Sequence, residues 1–278
     1  MPVRDGAVRN VRALQALLAE RFPEARPLAE RDALRALGPV PTGFAALDRA
    51  LPGGGLPRGK LTAWTPEGGA AAVLRSACRQ VLAAGERAAW VDATRTLSAG
   101  WAPEAWAADA AAGPRGADAL PLLVHPRDRT DALRCAECVL ASGAFALVVV
   151  EPPAGGEPAG TETVRLTRAA RDGGAALVVL GESTRMAALR VASRLDVRGV
   201  RWRHGPFGPA APVAVRARVQ VRALGWQARA EVVLAVAAHD VRDALEPGPD
   251  RRGTGRAAPG PPAGTAGPPA GAGAARRG

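Results

Sequence analysis

Two short runs, ALVVV at 146–150 and ALVVL within 175–180, carry no polar residue on either side of the strand they would form. Successive side chains of a strand point to opposite faces, so an all-apolar strand needs cover on both. Helices packed on both faces of a mostly parallel sheet supply that cover. The surrounding pattern agrees. Strands are expected at 61–64, 87–91, 120–124, 146–150 and 175–180, alternating with helices at 70–84, 102–112, 129–142 and 162–172. That alternation implies a doubly wound α/β domain.

The pattern then changes. Val213, Val215, Ala217, Val219 and Val221 alternate with Arg216, Arg218, Gln220 and Arg222, and a second run follows at 229–236 after a break at Leu224–Trp226. Period-two alternation with one apolar face predicts a hairpin that adds antiparallel strands. Before the core, VRNVRALQALLAERF (8–22) has apolar residues at helical spacing, then a Pro-bounded linker from Pro23 to Pro41. Beyond Glu246 the chain is Pro, Gly, Ala and Arg, with too little apolar surface to offset the entropy of ordering. The expected division is residues 1–40, helix and linker; 41–245, the α/β core; and 246–278, a disordered tail.

Residues 41–76, PTGFAALDRALPGGGLPRGKLTAWTPEGGAAAVLRS, have the frame of a phosphate-binding loop: a Gly/Pro-rich turn, a short strand, a loop and a helix. A working loop reads G-x-x-x-x-G-K-[S/T]; its backbone N–H groups cradle phosphates, its Lys reaches the outer phosphates and its hydroxyl holds Mg²⁺. Here the segment is Thr65, Pro66, Glu67, Gly68, Gly69, Ala70, Ala71 and Ala72. Thr65 and Ala70 replace the two glycines, Ala71 the Lys and Ala72 the hydroxyl residue. What remains for a phosphate is a helix N-terminus and Gly68–Gly69. Lys60 or Arg75 would have to swing in to replace the missing cation.

The segment TGFAALDRALPGGGLPRGK (42–60) resembles the approach to the nucleotide loop of RecA recombinases. It is more similar still to the ImuA family, RecA-related accessory proteins of SOS mutagenesis in which LPGGG-x-PRG is typical. WVDATRTL (90–97) matches the segment where a catalytic Glu follows D-A; Thr94 stands there. LVVVEPP (147–153) matches the Walker B strand, with Glu151 where Asp is usual. LVVLGES (177–183) matches the strand ending in a phosphate-sensing Gln, here Glu182. ASRLDVR (192–198) matches the strand after the second DNA-binding loop. The resemblance covers about residues 8–236 and is strongest at 41–64 and 192–198.

The resemblance implies a RecA-like core without ATP hydrolysis and without a bound cofactor. It further implies a role in damage-induced translesion DNA synthesis, through an ImuB-like polymerase-related protein, an error-prone DnaE-type polymerase and RecA itself. It places a protomer contact at the N-terminal helix, so Val11, Leu14 and Leu18 are expected to dock on a partner rather than join the core. Trp101 and Trp106, flanking a predicted helix start in WAPEAW, are candidates for an exposed contact patch.

Composition bounds the alternatives. The chain has no Ile or Tyr and a single Lys, with Val, Ala and Arg in their place, as a GC-rich gene would encode. Arg-for-Lys exchange leaves charge unaltered, so the formal net charge of +11 still implies attraction to polyanions. Arg216, Arg218, Arg222 and Arg229 on the hairpin are candidate DNA contacts, set against a merely solvated face. The segments that would be DNA-binding loops are an acidic EPPAGGEPAG (151–160) and a connection, 181–191, too short for a loop and helix. Three Cys exclude a disulfide scaffold, and Cys135-x-x-Cys138 lies inside a predicted helix, where core thiols are the simpler reading. No apolar run approaches a membrane span, so a cytoplasmic protein is expected. Three readings follow: a non-catalytic accessory protein, a RecA-paralogue mediator binding DNA directly, and an ATPase with a relocated lysine.

Overall fold

The computed structural model describes residues 13, 14, 17, 38–95, 97, 120–181, 186–204 and 211–236. Its elements are α1 (Ala45–Ala50), β1 (Leu61–Glu67), α2 (Ala70–Ala83), β2 (Ala88–Asp92), β3 (Leu122–Val124), α3 (Arg129–Ala141), β4 (Leu147–Glu151), α4 (Thr161–Gly173), β5 (Ala176–Leu180), β6 (Leu189–Arg203), β7 (Ala211–Ala223) and β8 (Trp226–Ala235). One mixed sheet holds all eight strands in the order β3-β2-β4-β5-β1-β6-β7-β8. β3 through β6 are mutually parallel, and β7 and β8 continue antiparallel.

Alternate residues of the buried strands feed two cores. Trp64, Trp90, Leu147, Val149, Val178 and Leu180 face α2 through Val73, Leu74, Ala77, Cys78 and Val81. Those five recur at helical spacing, which is why α2 presents one apolar stripe. On the other face Leu61, Ala63, Val91, Val148, Val150, Leu177 and Val179 meet α3 and α4. α3 starts where Asp128 caps it, its carboxylate accepting from Asp131 N–H at 2.9 Å. Two ion pairs, Arg129–Glu162 and Arg165–Glu137, tie α3 to α4. Buried Trp64 donates from Nε1 to Ser193 Oγ at 2.9 Å, joining β1 to β6.

The predicted strands and the helices at 70–84, 129–142 and 162–172 lie within a few residues of those found, as does the hairpin. The helix expected at 102–112 and the tail lie outside the described residues. Two differences bear on function. β1 does not stop at Trp64: Thr65, Pro66 and Glu67 pair in parallel with Ala192, Ser193 and Arg194 of β6. β5 ends opposite Trp64, so β1 beyond that point has a strand neighbour on one side only, which accommodates Pro66. At the N-terminus, Ala13, Leu14 and Leu17 are helical, and Leu14 is fully buried in the same core as α3 and α4. At that position the expectation of a docking element outside the core is corrected: the apolar side chain is used by its own domain.

Candidate functional site

The segment that the sequence reads as a phosphate-loop remnant is shorter than its sequence suggests. With Thr65–Glu67 in β1 and Ala70 opening α2, only Gly68 and Gly69 remain as the turn. Both have positive φ, 120° and 80°. These are conformations that favour glycine. The helix caps itself on Gly69 without any side-chain bond.

The sheet extension packs against this turn. A Cβ at Gly68 would lie 2.9 Å from Leu195 Cγ of β6. A Cβ at Gly69 would lie 2.9 Å from Leu234 Cδ1 of β8 and 3.2 Å from Leu195 Cδ2. Two leucine side chains therefore pack against the backbone of the turn, and they offer no hydrogen-bond donor. Nearby, Ala70 is buried, Ala71 exposed and Ala72 half-buried.

The two substitute cations fare differently. Lys60 precedes β1, at the end of the strand opposite to the turn. Seven strand residues separate them, roughly 23 Å at about 3.3 Å each. No lysine side chain spans that gap. Arg75 is half-buried in the second turn of α2.

Glu151 closes β4, in register with Asp92 at the end of β2. Sequence reasoning passed over Asp92. It is fully buried, and its carboxylate accepts from Thr94 N–H at 3.0 Å, Thr94 Oγ1 at 2.9 Å, Arg95 N–H at 2.7 Å and Leu97 N–H at 3.3 Å. His125 Nδ1 lies 3.8 Å from its Oδ2. Thr94 is thus engaged in an Asx-type turn. The signal was present in D-A-T, an Asp followed two residues later by a hydroxyl, but the same letters also fit a motif with a missing Glu. Glu182, Val11, Leu18, Trp101 and Trp106 lie outside the described residues.

Burial pushes the Cys78 thiol up to about 12, against a smaller opposing backbone hydrogen bond. Desolvation, with smaller contributions from Cys138 and Asp131, pushes Cys135 up to about 11. Neither supplies a thiolate nucleophile near neutral pH. Among the described residues no group of three or more His, Cys, Asp or Glu is placed to hold a metal.

Arg216, Arg218, Arg222 and Arg229 are all exposed and come together on one face of β7 and β8. β6 adds Arg190, directly opposite Arg222, and Arg194, directly opposite Arg218. Those two escaped sequence reasoning because their place depends on long-range pairing. Asp196 and Glu231 share the face: Arg218 reaches them at 2.8 and 3.6 Å, and Arg216 lies 3.7 Å from Glu231. Compared with known proteins, the chain matches no family model and no curated sequence.

Proposed function

We propose that this protein is a non-catalytic, RecA-like accessory factor of the ImuA kind. It would act in damage-induced translesion synthesis by contacts with an ImuB-like protein and a DnaE-type polymerase, and with RecA as a third contact. The reading of a degenerate doubly wound ATPase core rests on the segments at 41–64 and 192–198. One observation carries the non-catalytic part: the residual glycine turn of the phosphate loop is packed against Leu195 and Leu234. A nucleotide would have to displace apolar side chains and would gain neither the Lys nor the hydroxyl that normally repay its desolvation. The relocated-lysine alternative loses support, since Lys60 lies a strand length away.

The test has three arms. Purified protein titrated with a fluorescent ATP analogue and Mg²⁺ should show no saturable binding and no turnover. Co-expression with the ImuB-like protein of the same genome should give a stable complex. Deleting the gene should lower damage-induced mutagenesis, and a Lys60→Ala allele should restore it as fully as the wild type. Turnover lost in Lys60→Ala would overturn the non-catalytic reading. Mutagenesis unchanged by deletion would overturn the pathway.

A further inference from the structure

The face of β6, β7 and β8 that bears arginines is an unpartnered surface whose charge pattern is costly to the folded chain. Reading across the three strands, its rows are Arg190, Arg222 and Gln227; Ala192, Gln220 and Arg229; Arg194, Arg218 and Glu231; and Asp196, Arg216 and Val233. Six arginines face two carboxylates, a net of +4 on this patch. Both carboxylates are engaged by Arg216 and Arg218. Arg194, Arg222 and Arg229 have no carboxylate partner among the described residues. Arg190 and Arg222 are directly opposed, as are Arg194 and Arg218. Like charges in directly opposed positions destabilise a sheet. A locally unfavourable choice, repeated on one exposed face, is what a binding surface looks like.

The geometry selects the occupant. Alternate residues along a strand lie about 6.6 Å apart and neighbouring strands about 4.8 Å apart, so the guanidinium groups form a regular array. A regular array of cations suits a polymer whose anions repeat.

We infer that the exposed face of β6, β7 and β8 binds the sugar–phosphate backbone of a nucleic acid without regard to sequence. The surface is made of strands and is neither of the two connections at which the RecA resemblance would put DNA. It does not depend on the proposed function, since nucleotide binding and partner contacts play no part in it.

The experiment is an anisotropy titration of the full chain with fluorescein-labelled oligothymidylate of about 20 nucleotides, at salt from about 50 to 200 mM. The triple variant Arg194→Glu, Arg222→Glu, Arg229→Glu is compared with Arg49→Glu, Arg127→Glu, Arg134→Glu, an equal charge change at exposed positions elsewhere. Each phosphate contact on a single strand contributes about −0.7 to the slope of log K against log salt. The face variant should lose about 2 from the magnitude of that slope, and the control should keep the wild-type slope. The Arg222→Glu change sets a carboxylate opposite Arg190, so the face variant should melt no lower than the wild type. Should it fail to fold, single Arg194→Gln and Arg229→Gln changes should each remove about 0.7. Equal weakening by the two triple variants, or wild-type binding by the face or single variants, would overturn the inference.

Discussion

Replacing Leu14 by Ala separates a core helix from a detachable one. The side chain is fully buried, in a cluster that includes Leu61, Ala63, Ala89 and Val91 of the sheet and Ala132, Ala136 and Leu166 of the helices. The change removes three carbons from that cluster. Transfer alone is worth about 0.8 kcal/mol for each, or about 2.4 kcal/mol in all. Incomplete collapse of the space left behind raises the total to about 3–5 kcal/mol. At roughly 2–4 °C per kcal/mol for a domain of this size, the melting midpoint should fall by about 6–20 °C. Leu17, half-buried on the same helix, is the internal control: Leu17→Ala should cost clearly less than Leu14→Ala. Urea unfolding followed by Trp fluorescence gives both values. A Leu14→Ala loss below about 1 kcal/mol, with an unchanged urea slope, would refute the reasoning. It would restore the view that this helix docks on a partner.

Gly69→Ala should destabilise by about 1–3 kcal/mol in the same assay, because it imposes a Cβ at φ 80° and 2.9 Å from Leu234 Cδ1. Gly54→Ala, with φ 89° and nothing within 4 Å, isolates the backbone part, so the difference reports the leucine packing. Arg129 holds the Glu162 carboxyl below its ordinary value near 4.5, mainly by hydrogen bonding. A carboxyl with a lowered folded-state value contributes stability above its unfolded value and loses it as pH falls through the folded one. Glu162→Gln should therefore unfold at lower urea than the wild type above about pH 5, by no more than about 1 kcal/mol for so exposed a pair. Urea midpoints against pH should converge in more acid solution. Cys78 and Cys135, raised to about 12 and 11, should resist a thiol reagent at pH 8 in the native state and react once the chain is unfolded.

Some of this architecture was legible because it follows from local rules. The Val/Leu runs at β4 and β5 report burial on both faces, since a pleated strand shows a side chain to each side in turn. The Val/Arg alternation of β7 reports one buried face and one open face. That Ala71 and Ala72 stand where a working phosphate loop would carry Lys and a hydroxyl residue is also plain in the letters. Such patterns depend on residues a few positions apart, so the chain alone determines them.

What covers those elements depends on residues far apart in sequence, and there tertiary structure decided. Pairing with β6 drew Thr65, Pro66 and Glu67 out of the loop and into β1. The same pairing brought Leu195, and with it Leu234 of β8, onto the glycine turn, and set Arg190 and Arg194 beside the hairpin arginines. Leu14 carries the same apolar signal whether its helix reaches a neighbour or folds back, and only packing against its own sheet placed it in the core. Local sequence fixes which face of an element is apolar. Which surface meets that face is set by register and crossover between segments more than a hundred residues apart, because burial rewards any apolar partner that the topology brings within reach.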